Sequence, residues 1–397
     1  MTKKYLLIIG IGVLSVIIIT TLIYFLILSN PREKDDKSDS QVNPQIDTQQ
    51  KDSSAETESN LSQITFTQDI FEVNRVDYIT PLGDLHGGYE EISAIAGVMI
   101  DLVIPENGST PEPMDIYAPT DMSLESYAYY KMSEEEGVEW SLSFRISDDV
   151  TMQLWHIDTP VQRIREAAVS EPKQDSRTES PKHTVEFRAG EKIAETVGTN
   201  KANNWNILVN DQTHENKFVN QARYEANYLG QRLITARCPF DFYPKEEAEK
   251  YLSLVGYNSQ DGAKTGMINT CGSVSRDVKG TIAGIWHFSS ESEDGVIIDK
   301  DGVFTTPLAI YETISGSITI DMIDGKTRTI FESSDTYKDP ATITSLHCYE
   351  LEDIFNHNPV GYIFFKLASD TEMKISYSSS GSCPSVFPNE NIRTYYR

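Results

Sequence analysis

Histidine is scarce in this chain, seven among 397 residues, and no two stand in an HxH, HxxH or HExxH pair. The usual ways of presenting two imidazoles to zinc from one strand or helix are therefore missing. The four cysteines include no CxxC, so a structural zinc has no ligand pair to start from. Also absent are a GxSxG elbow, a Walker A loop and a GxGxxG fingerprint after a strand. Basic charge is thin: 34 Lys+Arg stand against 60 Asp+Glu, a net charge of −26. Such a surface repels phosphate backbones, so nucleic acid is excluded as a partner. No spacing among the acids singles out a carboxylate pair for glycoside cleavage.

One long apolar run is present. "YLLIIGIGVLSVIIITTLIYFLIL" covers Tyr5 to Leu28 without a charge. As a helix its 24 residues would span about 36 Å, enough to cross a hydrocarbon core of about 30 Å with some tilt. It is too long for the apolar part of a cleaved signal, and "ILSN" is a poor cleavage site. Residues 1–28 are expected to form an uncleaved single-pass anchor, with residues 5–28 in the membrane. Lys3 and Lys4 precede it while Arg32, Lys34 and Lys37 follow, so positive charge does not decide the orientation. The large acidic region after the anchor is expected outside the cytoplasmic membrane. Residues 29–62 are polar and lack aromatics, and they read as a disordered tether with an r.m.s. reach of roughly 30 Å. In an exported domain, Cys238, Cys271, Cys348 and Cys383 predict two disulfides. Three pairings exist, and chain order favours Cys238–Cys271 and Cys348–Cys383.

The rest is mainly β: short runs rich in Tyr, Ile, Val, Thr and Phe. "WSLSFRIS" and "VTMQLWHI" alternate about Asp148-Asp149 and predict a hairpin, with Val150, Met152, Leu154 and His156 on one face. Ser315–Ser333, turning at Asp324-Gly325, and Gly361–Ser378 predict two more. One helix is signalled in "YPKEEAEKYLSLVGY". Pro244 stands near its first turn, Glu246 and Glu247 lie where the dipole favours acids, and Gly256 is the stop. Ala248, Tyr251, Leu252 and Val255 form its apolar stripe. Arg165–Thr184 reads as a long exposed loop. A composition change near Gly272–Gly280 divides a β domain at 63–276 from a second at 277–397.

Four segments taken in order resemble the lysostaphin-type (LytM-like) zinc endopeptidases that cut peptidoglycan cross-bridges. They are "ITPLGDLHGGYEEISAIAGVMIDLVIP", "MDIYAPTDMSL", "MQLWHID" and "FRAGEKIAETVGTNKANNWNILV", within about Ile64–Asp211. The resemblance implies an antiparallel β domain with one helix. It also implies a zinc site built from an HxxxD motif and the last histidine of HxH. In this chain the HxxxD histidine position falls on Gly97 and its aspartate on Asp101. The two HxH positions fall on Asn204 and Asn206, and a further histidine position falls on His156. Glycine has no donor atom and a carboxamide is a weak zinc ligand beside imidazole, so only Asp101 is left of the three ligands. No metal, cofactor or catalytic residue is expected. The five positions read as a vestigial site on a degenerate, non-catalytic relative. Such a relative would bind a cell-wall peptide or glycan, or regulate a cell-wall hydrolase. The alternative in the same class is an active zinc endopeptidase whose ligands come from His86, His183 or His214.

The C-terminal region opens with "GTIAGIWHF". Gly284-x-Trp286 loosely resembles the first-strand signature of lipocalin and avidin-type (calycin) barrels, in which the tryptophan closes the floor. That resemblance places Arg397 against the indole. Three hairpin-like segments in about 120 residues predict a small antiparallel barrel or sandwich. A closed barrel adds a third function class, a small-ligand-binding protein.

Overall fold

The computed structural model describes residues 64–397, short of 87–92, 106–107, 109, 132–137, 170–177, 199–202, 227, 259–263, 268, 276, 288–307, 313–317, 325–326, 334–337 and 354–357. The expected anchor at 5–28 and tether at 29–62 lie outside these residues, as does the expected turn at Gly325. No helix of the described residues is long and apolar enough to cross a membrane.

The fold is mainly β and its strand pairs are antiparallel. The first sheet runs in the order Val76–Thr80, Val98–Leu102, Asn204–Asp211, Val150–Ile157, Val138–Arg145, Met122–Lys131 and Glu186–Phe187. Asn204–Asp211 is its central strand. It pairs with Val98–Leu102 through Asn204–Ile207 and with Val150–Ile157 through Asn206–Asp211, and Ala236–Arg237 adds a short pair beside Val209. Every residue of this strand is buried. Alternation sends Trp205, Ile207 and Val209 into the core with Ile100, Leu142, Phe144, Met152 and Leu154. Phe71 meets the Trp205 indole edge-on at 5.7 Å, an arrangement that adds about 0.5–1.5 kcal/mol to its burial. A second sheet of Met114–Tyr117, Lys192–Thr196 and Thr159–Pro160 carries Ile116, Ile193 and Ala194 into the same core.

Four helices appear among the described residues where the sequence signalled one. Lys245–Leu252 is the expected helix, with buried Ala248 and Tyr251. It stops at Leu252, ahead of the expected Gly256, which opens a short strand instead. Gln162–Ala167, Gln221–Glu225 and Tyr228–Thr235 have five to eight residues each, too short to establish an apolar period in sequence. The first of these also takes up the start of the expected loop at Arg165–Thr184.

The C-terminal strands form a second eight-stranded sheet in chain order, from Gly284–Trp286 to Ile392–Tyr396. Its first and last strands meet where His287 and Tyr396 exchange backbone N–H···O bonds of 2.6 and 2.7 Å. Ile318–Asp324 pairs with Thr327–Ser333 and Pro359–Ser369 with Glu372–Ser378, as the alternation predicts. Trp286, Tyr349, Ile363, Phe365, Met373, Ile375 and Tyr395 make a separate core. Arg397 is 1 % exposed and its guanidinium carbon lies 4.3 Å above the Trp286 ring. The guanidinium donates to the carbonyls of Asp370, Ala283, Val278 and Thr281. Disulfides join Cys238 to Cys271 and Cys348 to Cys383. Residues 62–397 form one compact unit.

Candidate functional site

Asp101, Asn204 and Asn206 lie on the face of the first sheet that points away from its core. Register sets Asn204 directly opposite Asp101, Asn206 opposite Met99 on one side and opposite Trp155 on the other. Asp101, Asn204 and Asn206 thus share one face with Tyr78, Thr80 and Trp155. Trp155 precedes His156 in the chain.

His156 reaches this face by a bulge. Trp140 pairs with Ile157 and Leu142 with Leu154, so Trp155 and His156 together oppose Ser141 alone. His156 holds φ +64°, a left-handed conformation that histidine adopts more readily than most residues. This overturns the expectation that His156 shares a face with Val150, Met152 and Leu154. Strict alternation would have buried it, and the extra residue turns it toward Glu139. Nδ1 of His156 lies 2.7 Å from Glu139 Oε1, and its backbone carbonyl accepts from the Thr196 hydroxyl at 2.8 Å.

Asp101 is 8 % exposed. Burial pushes its carboxyl up to about 6, and hydrogen bonds from Asn204, Thr80 and Tyr78 only partly oppose that rise. Asn204 Nδ2 donates to Oδ1 and Thr80 Oγ1 to Oδ2, both at 3.2 Å. Each oxygen is therefore met by a protein donor. Asn206 is 6 % exposed, and its Oδ1 is a buried acceptor without a partner among the described residues.

These residues do not fit a zinc ion. A metal approaching Asp101 would meet the Asn204 N–H and the Thr80 O–H, which are donors rather than electron pairs. Gly97 has no room for a side chain. A Cβ there would lie 2.4 Å from the Ile207 carbonyl oxygen and 2.6 Å from Leu208 Cγ. No group of three or more His, Cys, Asp or Glu residues among the described ones is placed to hold a metal. His183 is exposed and His214 Nε2 lies 3.3 Å from Asn216 Oδ1. His86 pairs with Ser93 in a separate two-stranded sheet.

Sequence reasoning missed Glu139, Thr80 and Tyr78. Glu139 had a signal, since it holds an outward position just before the alternating Trp140–Ile146 run. Thr80 and Tyr78 had none, because only the register of Val76–Thr80 on Val98–Leu102 brings them to Asp101. In comparisons with known proteins, the chain matches no family model, no curated protein and no solved structure.

Proposed function

We propose that this chain is a membrane-anchored, extracytoplasmic binding protein whose central domain is a degenerate lysostaphin-type scaffold that captures a cell-wall peptide without cutting it. In this reading residues 5–28 are the anchor and 29–62 the tether. Residues 277–397 fold as a calycin-like barrel closed between His287 and Tyr396 and floored by Trp286 and Arg397.

The observation that carries the reading is the pairing of Asp101 with Asn204 beside the unpartnered Oδ1 of Asn206. The carboxylate that a hydrolase would give to a metal is held by an amide. The neighbouring acceptor is buried and makes no hydrogen bond among the described residues. A buried acceptor without a partner costs about 1–3 kcal/mol, which a peptide amide or ammonium would recover where binding opens this face. His156 and Glu139 border the same face and add a second polar contact.

The test is a metal and binding assay on the purified chain at neutral pH. The expected result is no stoichiometric zinc, no chelator-sensitive cleavage of cell-wall peptides, and retention of such peptides by the intact protein. Bound zinc at one equivalent that disappears in Asp101→Ala overturns the reading. So does peptide hydrolysis blocked by a chelator.

A further inference from the structure

The polar face of the central sheet continues beyond Trp155 and there opens into a cleft of about 400 Å³. Its floor is Thr151, Gln153, Asn210 and Gln212, and its walls include Glu225 and Arg232 from the two short helices. Asn210 stands opposite Thr151 across the strand pair. Four residues separate Asn210 from Asn206, about 14 Å at strand spacing, so the cleft is distinct from the Asp101 site. Its volume lies toward the lower end of the roughly 300–1,000 Å³ of small-molecule sites.

Helices that cover a sheet usually do so with apolar side chains, and here the join is polar. Asn210 Nδ2 donates to the Arg232 carbonyl at 2.8 Å and to Thr235 Oγ1 at 3.0 Å. Arg232 donates to Gln153 Oε1 at 2.6 Å and stacks over the Trp155 ring at 4.7 Å. Gln231 Nε2 donates to the Glu225 carbonyl at 3.0 Å. These bonds brace the walls and orient Asn210 and Gln153.

What they leave open is the argument for a ligand. Asn210 Oδ1, Gln153 Nε2, the Gln212 side-chain amide and the Thr151 hydroxyl make no hydrogen bond among the described residues. Acceptors, donors and groups that are both therefore face one space, and none of the four carries charge. Glu225 and Arg232 on the walls offset each other, and a net charge of −26 opposes an anion. Only Ile234 is apolar in the lining, so side-chain pockets of the kind that select a peptide are missing. A sugar ring suits the set, because each hydroxyl both donates and accepts and no apolar pocket is needed.

We propose that this cleft is a binding site for a neutral saccharide of one or two rings. The site does not depend on the reading of the face around Asp101.

The experiment titrates the full chain with neutral mono- and disaccharides, with their acidic counterparts and with triglycine, followed by ligand-detected NMR and calorimetry. The expected result is binding of at least one neutral saccharide with Kd on the order of 1 mM or tighter. Gln212→Ala is expected to weaken it about fivefold and Thr151→Tyr, which fills the cleft, to abolish it. Gln212 sits at the rim of the floor, so its variant retains the fold and keeps the test decisive should Thr151→Tyr misfold. No neutral saccharide binding at that level overturns the proposal. Binding that survives Gln212→Ala unchanged, or that is confined to acidic sugars or to the peptide, overturns it as well.

Discussion

Asp101 shows how far a residue's chemistry departs from its letter. Its place in an HxxxD-like spacing was legible, as was the presence of Gly97, Asn204 and Asn206 where that resemblance expects histidines. Its proton affinity was not, because that depends on Thr80, Tyr78 and Asn204 meeting it across two strand pairs. The carboxyl is raised by burial to about 6 in the fold against an ordinary value of 3.8. Below about pH 4 both folded and unfolded chains hold this proton, and no penalty arises. As pH rises from about 4 to 6 the unfolded chain releases it first, so stability falls, and above 6 the loss is constant. Its size is on the order of 3 kcal/mol. Asp101→Asn removes the ionisation while keeping an amide that can pair with Thr80 and Asn204. The variant is expected to match or exceed the parent at pH 7.5, by about 1–3 kcal/mol. It should also lose this residue's share of the decline between pH 4 and 6. Urea unfolding of the two proteins across that range, with disulfides intact, measures the difference; a variant less stable at pH 7.5 and equal at pH 4 contradicts the assignment.

At the scale of elements, the central strand explains why the face around Asp101 and Gly97 is closed. Asn204–Asp211 is covered on both faces, and it passes so near the approach to Val98–Leu102 that Gly97 has only a hydrogen to offer. Gly97→Ala is expected to destabilise by 2 kcal/mol or more, since the first contact is a backbone carbonyl that cannot rotate aside. Chemical denaturation reads this directly, and a cost below about 0.5 kcal/mol would show that the strands part easily. A histidine at 97 would meet the same obstacle, so restoring the residue types does not restore a metal site. Alternation located the Val138–Arg145 and Val150–Ile157 hairpin of this sheet because its inner face is apolar. It failed at His156, where a single bulge reverses the direction of the side chain. It also passed over the short helices, which build two walls of the cleft yet lack the length to show a helical stripe.

For the molecule as a whole, the two cores are joined through a few polar contacts around the C-terminal residue. Asn220 Nδ2 donates to the Arg397 carbonyl at 2.9 Å, and Asp277 accepts from the amides of Val219 and Ile285. Arg397 itself ties together Val278, Thr281, Ala283 and Asp370 while covering Trp286. Arg397→Ala leaves four carbonyls without their donor and exposes the indole. The expected cost is about 3–5 kcal/mol, the range for removing a buried, hydrogen-bonded charge, lowering the thermal midpoint and raising the accessibility of Trp286 to a fluorescence quencher. An unchanged midpoint would mean that the contact is incidental. The stacking of Arg397 on Trp286 was foreseen from a resemblance at Gly284-x-Trp286; the contact to Asn220, across 177 positions, had no trace in sequence.

Composition and alternation alone determined that this chain builds antiparallel sheets, that its surface is anionic, and that it has no HxH, HxxH, HExxH or CxxC pair. Those are local or additive properties, and they need no knowledge of neighbours in space. The tertiary structure decided which side chains share a face, how strongly Asp101 holds its proton, which acceptor is buried without a partner at Asn206, and where a cleft forms beside Asn210. Each of those turns on register and on contacts between distant segments, which one bulge or one close approach at a glycine is enough to change.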